Sequence, residues 1–242
     1  ALAAVRPDVY HAPHYVVPLL PPRATVVTVH DLIHLRRPEH ATLARRLYAT
    51  TMLRRALRAA RVVLTVSEAV RRDLAGFAPR QAGKVRVVPN GVEPRFLAPV
   101  PESERERVRR AAGLDTPWVL FLGNDKPHKN LVTLIQAWGR LIARRPELTA
   151  GLPLVLAGPR DPRYARLTEA YVTRFARPDA VRFLGPVDET DLPALYGGAA
   201  AFAFPSRHEG FGLPVLEAMA CGTAVVAGDA TSLPEVAGDA AL

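Results

Sequence analysis

Short apolar runs, several of them rich in valine, punctuate the chain: Thr25 to Asp31, Val62 to Ser67, Val85 to Pro89, Trp118 to Gly123, Leu154 to Gly158, Val181 to Gly185, Ala199 to Pro205 and Thr223 to Gly228. A run that is apolar at consecutive positions suits a strand buried on both faces, so helices must cover the sheet above and below. Segments with helical periodicity fill the gaps, at Leu43 to Ala60, Glu102 to Ala112, Leu131 to Arg144, Tyr164 to Phe175, Leu192 to Tyr196 and Pro214 to Cys221. This alternation predicts an α/β chain with parallel, doubly wound sheets.

The rhythm breaks once, at Pro89-Asn90-Gly91-Val92-Glu93-Pro94 and on through Pro99 and Pro101, which predicts a boundary between residues 1–91 and 92–242. The second part holds five of the runs in regular βα succession. The first holds only three, few for a sheet of this class. The chain opens without methionine at Ala1, in what reads as a helix tail, and stops at Leu242 before completing an element, so it reads as a fragment truncated at both ends.

Composition narrows the partners more than the fold. The net charge of +9, carried mainly by arginine, favours encounters with phosphates, nucleic acid or an anionic membrane surface. A single cysteine, Cys221, excludes an internal disulfide and a cysteine zinc cage, which fits a reducing cytoplasm. No apolar stretch approaches the roughly 20 residues of a spanning helix, and no export signal is visible at the start.

The richest stretch for chemistry is Phe204-Pro205-Ser206-Arg207-His208-Glu209-Gly210-Phe211-Gly212-Leu213-Pro214, continuing to Gly222. A strand ends near Pro205, a glycine loop follows, and Pro214 suits the first turn of a helix. Gly210 and Gly212 allow close approach of an anion to the backbone, and a helix N-terminus carries about half a positive charge. Glu209 and Glu217 flank this phosphate cradle, placed to accept hydroxyls of a sugar at one end and a ribose at the other. The plainer alternative is a glutamate that complements a helix dipole and a commonplace Gly-x-Gly.

Two glutamates separated by seven residues around such a loop resemble the hallmark of the group 1 (family 4) glycosyltransferases of the GT-B fold. That resemblance implies two Rossmann-like doubly wound domains facing a cleft, the first incomplete here: 1–91 would be the acceptor side and 92–242 the nucleotide-sugar side, without its last elements. It implies that Glu209 contacts the donor sugar, that Glu217 holds the ribose, and that the Gly210, Phe211, Gly212 and Leu213 backbone binds the diphosphate and sugar. Further stretches resemble the family in the same order. In Gly123-Asn124-Asp125-Lys126-Pro127-His128-Lys129-Asn130, Lys129 at a helix start matches a leaving-phosphate lysine. Many members carry arginine where this chain has Asn124, and Lys126 is its partial substitute. His30, closing the strand Val26 to Val29, matches a histidine that reaches the donor sugar. Thr65 to Glu68 with Val87 to Val92 matches the stretch before the family's interdomain crossing, and Leu184 to Val187 its loop below the nucleobase.

The implied activity is retaining transfer of a hexosyl group, mannosyl or glucosyl, from a nucleoside diphosphate sugar to a glycan, lipid-linked or small-molecule hydroxyl. The donor is a co-substrate and no cofactor is implied. No Asp-x-Asp occurs, which fits metal independence, and Asp188 with Asp191 reads as an N-cap and helix start. His30 and His34, with His11 and His14, form a rival metal site that fails because the zinc spacing needs a helix; His11 and His34 read as structural. Arg45, Arg46, Arg54, Arg55, Arg58 and Arg61 form the densest basic segment, a solvated helix or, with a lipid-linked acceptor, a surface for peripheral association at the inner membrane face. Arg54, Arg58 and Arg61 share a face, but the apolar residues do not segregate cleanly opposite them. Two other functions remain open: a nucleotide-sugar epimerase on the same fold, and a basic nucleic-acid-binding module. The latter lacks the interleaved exposed aromatics of single-strand binders, so no nucleic acid is expected.

Overall fold

A computed structural model describes residues 7–36, 42–115 and 117–242. The reading of Ala1 as a helix tail lies outside the described residues. The chain divides into two compact units, Ala1–Asn90 with Glu209–Phe211, and Gly91–His208 with Gly212–Leu242.

The first unit contains a parallel sheet in the order β1-β2-β3-β4, formed by Tyr10–Ala12, Thr25–Val29, Val62–Thr65 and Val85–Val87. Four strands are therefore found where the apolar runs predict three. The additional β1 is three residues long with a histidine at its centre, so it never forms an apolar run; it is read only through its pairing, Tyr10 with Thr25 and Ala12 with Val27. Helix α1 (Leu43–Ala59) buries Ala49, Leu53, Ala56 and Leu57, one stripe at helical spacing. The same helix exposes Leu43, Leu47 and Tyr48, so the expected lack of clean apolar segregation holds even though one buried stripe forms. Arg54, Arg58 and Arg61 are exposed, and Arg54 lies 5.5 Å from the centre of the Phe77 ring. Helix α2 (Glu68–Phe77), which the apolar runs miss, starts at Ser67, whose hydroxyl accepts from Val70 N at 3.2 Å.

The second unit holds five parallel strands in the order β7-β6-β5-β8-β9. In chain order these are β5 (Trp118–Leu122), β6 (Leu154–Ala157), β7 (Val181–Gly185), β8 (Ala199–Phe204) and β9 (Val225–Ala227). The helices of five residues or more are α3 (Glu102–Ala111), α4 (Leu131–Arg144), α5 (Ala165–Phe175), α6 (Leu192–Gly197), α7 (Leu213–Ala220) and α8 (Leu233–Ala237). β6 is buried at all four positions, as a strand covered on both faces requires. Helix α4 turns Leu131, Ile135 and Trp138 inward, spaced by four and three. Each fully buried side chain of this size contributes about 1.5–3 kcal/mol.

The winding direction of this sheet sets where a ligand belongs. From β5 the chain moves through β6 to β7, then returns to the other side of β5 with β8 and β9. The carboxyl ends of the neighbours β5 and β8 thus diverge into loops on opposite faces, the switch point at which open α/β sheets bind ligands. Packing is close between the ends of β5 and β6: a Cβ on Gly158, at φ +118°, would lie 2.3 Å from the Gly123 carbonyl oxygen.

Candidate active site

In the second unit, the loop leaving β5 turns on itself through its own side chains. Asn124 Oδ1 accepts from Lys126 N at 3.2 Å, which closes the turn after Gly123. Lys129 ends a single 3-10 turn, Pro127–Lys129, and Asn130 in the left-handed conformation separates it from α4. Lys129 therefore precedes the helix by two residues; a helix start read from Leu131 onward misses the intervening turn. Its Nζ lies 4.8 Å from the centre of the Phe204 ring, so it is held at the end of β8 instead of extending freely into water. Lys126 has a different setting. It acts electrostatically on Asp161, whose carboxyl Arg163 hydrogen bonds, with that weaker help, hold down at about 2.

The loop leaving β8 is bound to the first. Asn130 Nδ2 donates to Pro205 O at 3.1 Å, and Arg207 N donates to His128 O at 2.8 Å. Ser206 between them is buried, and its hydroxyl has no hydrogen-bond partner among the described residues. Gly212 stands at the N-cap of α7 with φ +111° and ψ 44°, and a Cβ there would meet Leu233 Cδ2 at 2.6 Å, so glycine is required. No side chain caps α7, and Pro214 at its second position has no N–H. The start of α7 beside Leu213 is thus the positive end of a helix dipole with no acidic residue in its first turn.

One helical turn further on, Glu217 is half-buried and accepts a hydrogen bond from Tyr196 Oη at 2.9 Å. Burial raises its pKa; the Tyr196 hydrogen bond and then Arg95 oppose that rise, while Glu93 and Glu189 add to it. Val187, in the loop after β7, lines a cavity of about 180 Å³ with Leu184, Pro186 and Val108. Asp191 occupies the N-cap position of α6 but pairs with Arg107 instead of capping, and Asp188 Oδ1 accepts from Thr190 N at 2.8 Å. The expected cap is therefore only positional, because a nearby guanidinium outcompetes the helix N–H groups.

In the first unit, His30 follows the last residue of β2 and is exposed. Its Nε2 is 3.1 Å from Pro13 O. A carbonyl only accepts, so Nε2 is the donor in this contact and Nδ1 is the ring nitrogen left outside it. His11 Nε2 lies 2.8 Å from Thr28 Oγ1, and His34 Nε2 lies 3.2 Å from Tyr15 Oη. Of Glu209, Gly210 and Phe211, grouped with this unit, Gly210 accepts from Ser67 Oγ at 2.6 Å. A Cβ on Gly210 would stand 2.1 Å from the His30 carbonyl oxygen.

The structure thus gathers Asn124, Lys129, Gly212, Leu213 and Glu217 around the switch point of one sheet, sets Lys126 near Asp161 beyond β6, and places His30 with Gly210 at the end of β2. Two residues that hold these groups in place are not predicted from the sequence. Asn130 is recognisable afterwards as a left-handed residue before a helix. Tyr196 carried no polar signal, being embedded in an apolar helix.

The model of the glycosyl transferases group 1 matches residues 102–241, and that of glycosyltransferase family 4 matches residues 1–96. The chain belongs to the group 1 glycosyltransferases. It is 35% identical to the O-antigen chain mannosyltransferase B of Escherichia coli, over all of this chain and 62% of that protein. The chain therefore spans less than two thirds of that relative. Among solved structures it is similar to Anabaena HepE in complex with UDP and glucose, at 25% identity and a TM-score of 0.70, over 87% of this chain and 54% of that one. WaaG, a glycosyltransferase involved in lipopolysaccharide biosynthesis, superposes with a TM-score of 0.76 at 18% identity, over 98% of this chain and 64% of that one. Two parallel α/β sheets with these neighbours make this the GT-B fold.

Proposed function

We propose that the protein transfers a hexose from a nucleoside diphosphate sugar to a hydroxyl of a glycan acceptor, with retention at the anomeric carbon. The observation that carries this reading is Lys129 held over the Phe204 ring at the end of β8, the strand whose following loop leads to the uncapped start of α7, one turn from Glu217. As the anomeric C–O bond breaks, negative charge grows on the departing diphosphate. A fixed ammonium and backbone N–H groups stabilise that charge more than the ground state, which is the condition for acceleration. Glu217 takes the ribose diol, Glu209 the donor sugar, and His30 accepts from a sugar hydroxyl through Nδ1. The acceptor oxygen attacks from the face the diphosphate leaves, without a protein nucleophile: the new C–O bond forms as the bond to the diphosphate breaks, and the acceptor proton passes to the departing diphosphate oxygen. The relative's name supports mannose as the sugar, and the HepE complex supports UDP as the nucleotide.

Peripheral association with an anionic membrane belongs to the same proposal. Residues 1–90 hold fifteen Lys and Arg against five Asp and Glu, a balance of +10, while residues 91–242 balance at −1. Leu19, Leu20, Leu43, Leu47 and Tyr48 are exposed in the same unit. No helix among the described residues is long and apolar enough to cross a membrane. Basic charge with exposed leucine suits a headgroup boundary instead.

One assay tests both parts. The complete gene product, supplied with UDP-, GDP- and ADP-hexoses and a lipid-linked or oligosaccharide acceptor, is expected to form an α-glycoside in EDTA, because no paired carboxylate motif marks a divalent-ion site. Acceptor-free conversion of the donor to its epimer would favour epimerase chemistry. Loss of transfer on chelation, restored by magnesium or manganese, would contradict the metal-independent mechanism. Anionic vesicles included in the assay should sediment with the protein, and neutral ones should not.

A further inference from the structure

We propose that Tyr196 is a positioning residue for nucleotide binding: its phenol holds the Glu217 carboxylate through Oε2 and leaves Oε1 for the ribose diol. The inference rests on Glu217 being the ribose ligand and goes one residue deeper. Tyr196 is fully buried at the inner face of α6, and a buried phenol requires a hydrogen-bond partner. It finds Glu217 Oε2 at 2.9 Å. An ionised carboxylate has about four lone-pair directions, so one occupied by a fixed donor still leaves enough for two vicinal hydroxyls.

The ring that carries this hydroxyl is itself immobile. Tyr196 packs edge-on against Phe202 at 5.2 Å and Phe96 at 6.1 Å, and Phe202 stacks on Phe204 at 5.6 Å. Phe204 is the ring beneath Lys129. One aromatic ladder through the core therefore fixes the ribose carboxylate at one end and the phosphate lysine at the other. Thr223 Oγ1 adds a lock on the backbone, donating to Tyr196 O at 2.7 Å.

The groups acting on Glu217 are Tyr196, Arg95, Glu93 and Glu189. Arg95 is engaged with Glu93 at 3.1 Å and Glu189 at 3.2 Å, and burial pushes the neighbouring Cys221 thiol up to about 11, so it stays neutral. Burial raises the Glu217 pKa, and the Tyr196 bond is the foremost opposing influence. Without the hydroxyl, Glu217 takes up a proton at higher pH. A protonated carboxyl is the poorer acceptor for the diol, so the acid limb of nucleotide affinity moves to higher pH.

The test is calorimetry from pH 5 to 8 with whichever of UDP, GDP and ADP binds tightest, and with its 2′-deoxy analogue. Tyr196→Phe is expected to bind about tenfold more weakly at pH 7, as loss of a charge-assisted hydrogen bond implies. Its acid limb should lie at higher pH, and its preference for the ribonucleotide should shrink. Site-specific 3-fluorotyrosine at position 196, which keeps the ring and strengthens the donor, should move the limb to lower pH and keeps the test available if Tyr196→Phe does not fold. An unmoved limb in the variant that folds, or equal weakening at every pH, overturns the positioning role. Glu217→Gln separates the two levels of the argument: unchanged affinity there, or no binding of any of the three nucleotides by the wild type, removes the ribose reading on which this one rests.

Discussion

Replacing Lys129 with methionine is expected to lower the rate of sugar transfer by about 10²–10³-fold, corresponding to ~2.7–4 kcal/mol of transition-state stabilisation. Methionine keeps most of the stem and removes the charge. The loss should fall mainly on kcat, because the charge on the diphosphate grows only as the glycosidic bond breaks. Stability should change little, since an ammonium over one ring contributes only about 0.5–1 kcal/mol at a partly exposed site. Lys126→Met, measured alongside, is expected to cost far less: the Lys126 backbone closes the Asn124 turn and its charge acts on Asp161. Equal losses in the two variants would show that net positive charge, and not the placement of Lys129 at the end of β8, is what the reaction uses.

Gly139→Ala should be the most destabilising single-methyl change in the second unit, at about 2–4 kcal/mol and a fall in Tm of roughly 10 °C. In an exposed helix the same change would stabilise by about 0.8–1 kcal/mol, because glycine is the poorer helix former. The sign reverses here because α4 crosses the end of α5 with no room for a side chain. A Cβ on Gly139 would stand 1.6 Å from the Phe175 carbonyl oxygen and 2.6 Å from its carbon, and backbone cannot rotate aside as a side chain can. Gly83→Ala is the control, since its Cβ would meet nothing within 4 Å, and should shift stability by less than about 0.5 kcal/mol. Thermal unfolding of the two variants decides the matter. A Tm for Gly139→Ala equal to that of Gly83→Ala would mean that α4 and α5 are not packed at this distance.

These contacts also mark what was legible beforehand. Strands made of consecutive apolar residues are legible because the sheet interior demands them, so β5 to β8 lie within about a residue of the runs that predict them, although of these only β6 is buried at every position. β1 was not, because Tyr10-His11-Ala12 is identified by its pairing with β2 and not by any pattern of its own. The loop turn and the helix start after β8 are legible in Gly212 and Pro214, which report backbone needs directly. The 3-10 turn ahead of α4 was hidden, since Asn130 in its left-handed conformation leaves only a weak mark in sequence. Tyr196 is the sharpest case: its partner Glu217 lies 21 residues away, and nothing local announces that a core tyrosine donates to a carboxylate on α7.

Under the proposed function the two glutamates divide the labour, ribose for Glu217 and donor sugar for Glu209. Calorimetry with a nucleoside diphosphate, joined to transfer rates with the matching nucleotide sugar, tests this division directly. Glu217→Ala is expected to weaken nucleotide binding by roughly tenfold or more, since it removes a charged acceptor of the diol. Glu209→Ala should leave nucleotide affinity within about twofold while turnover falls by at least tenfold, because an interaction made in the transition state shows in kcat and not in product binding. Equal loss of nucleotide affinity in both variants would contradict the account.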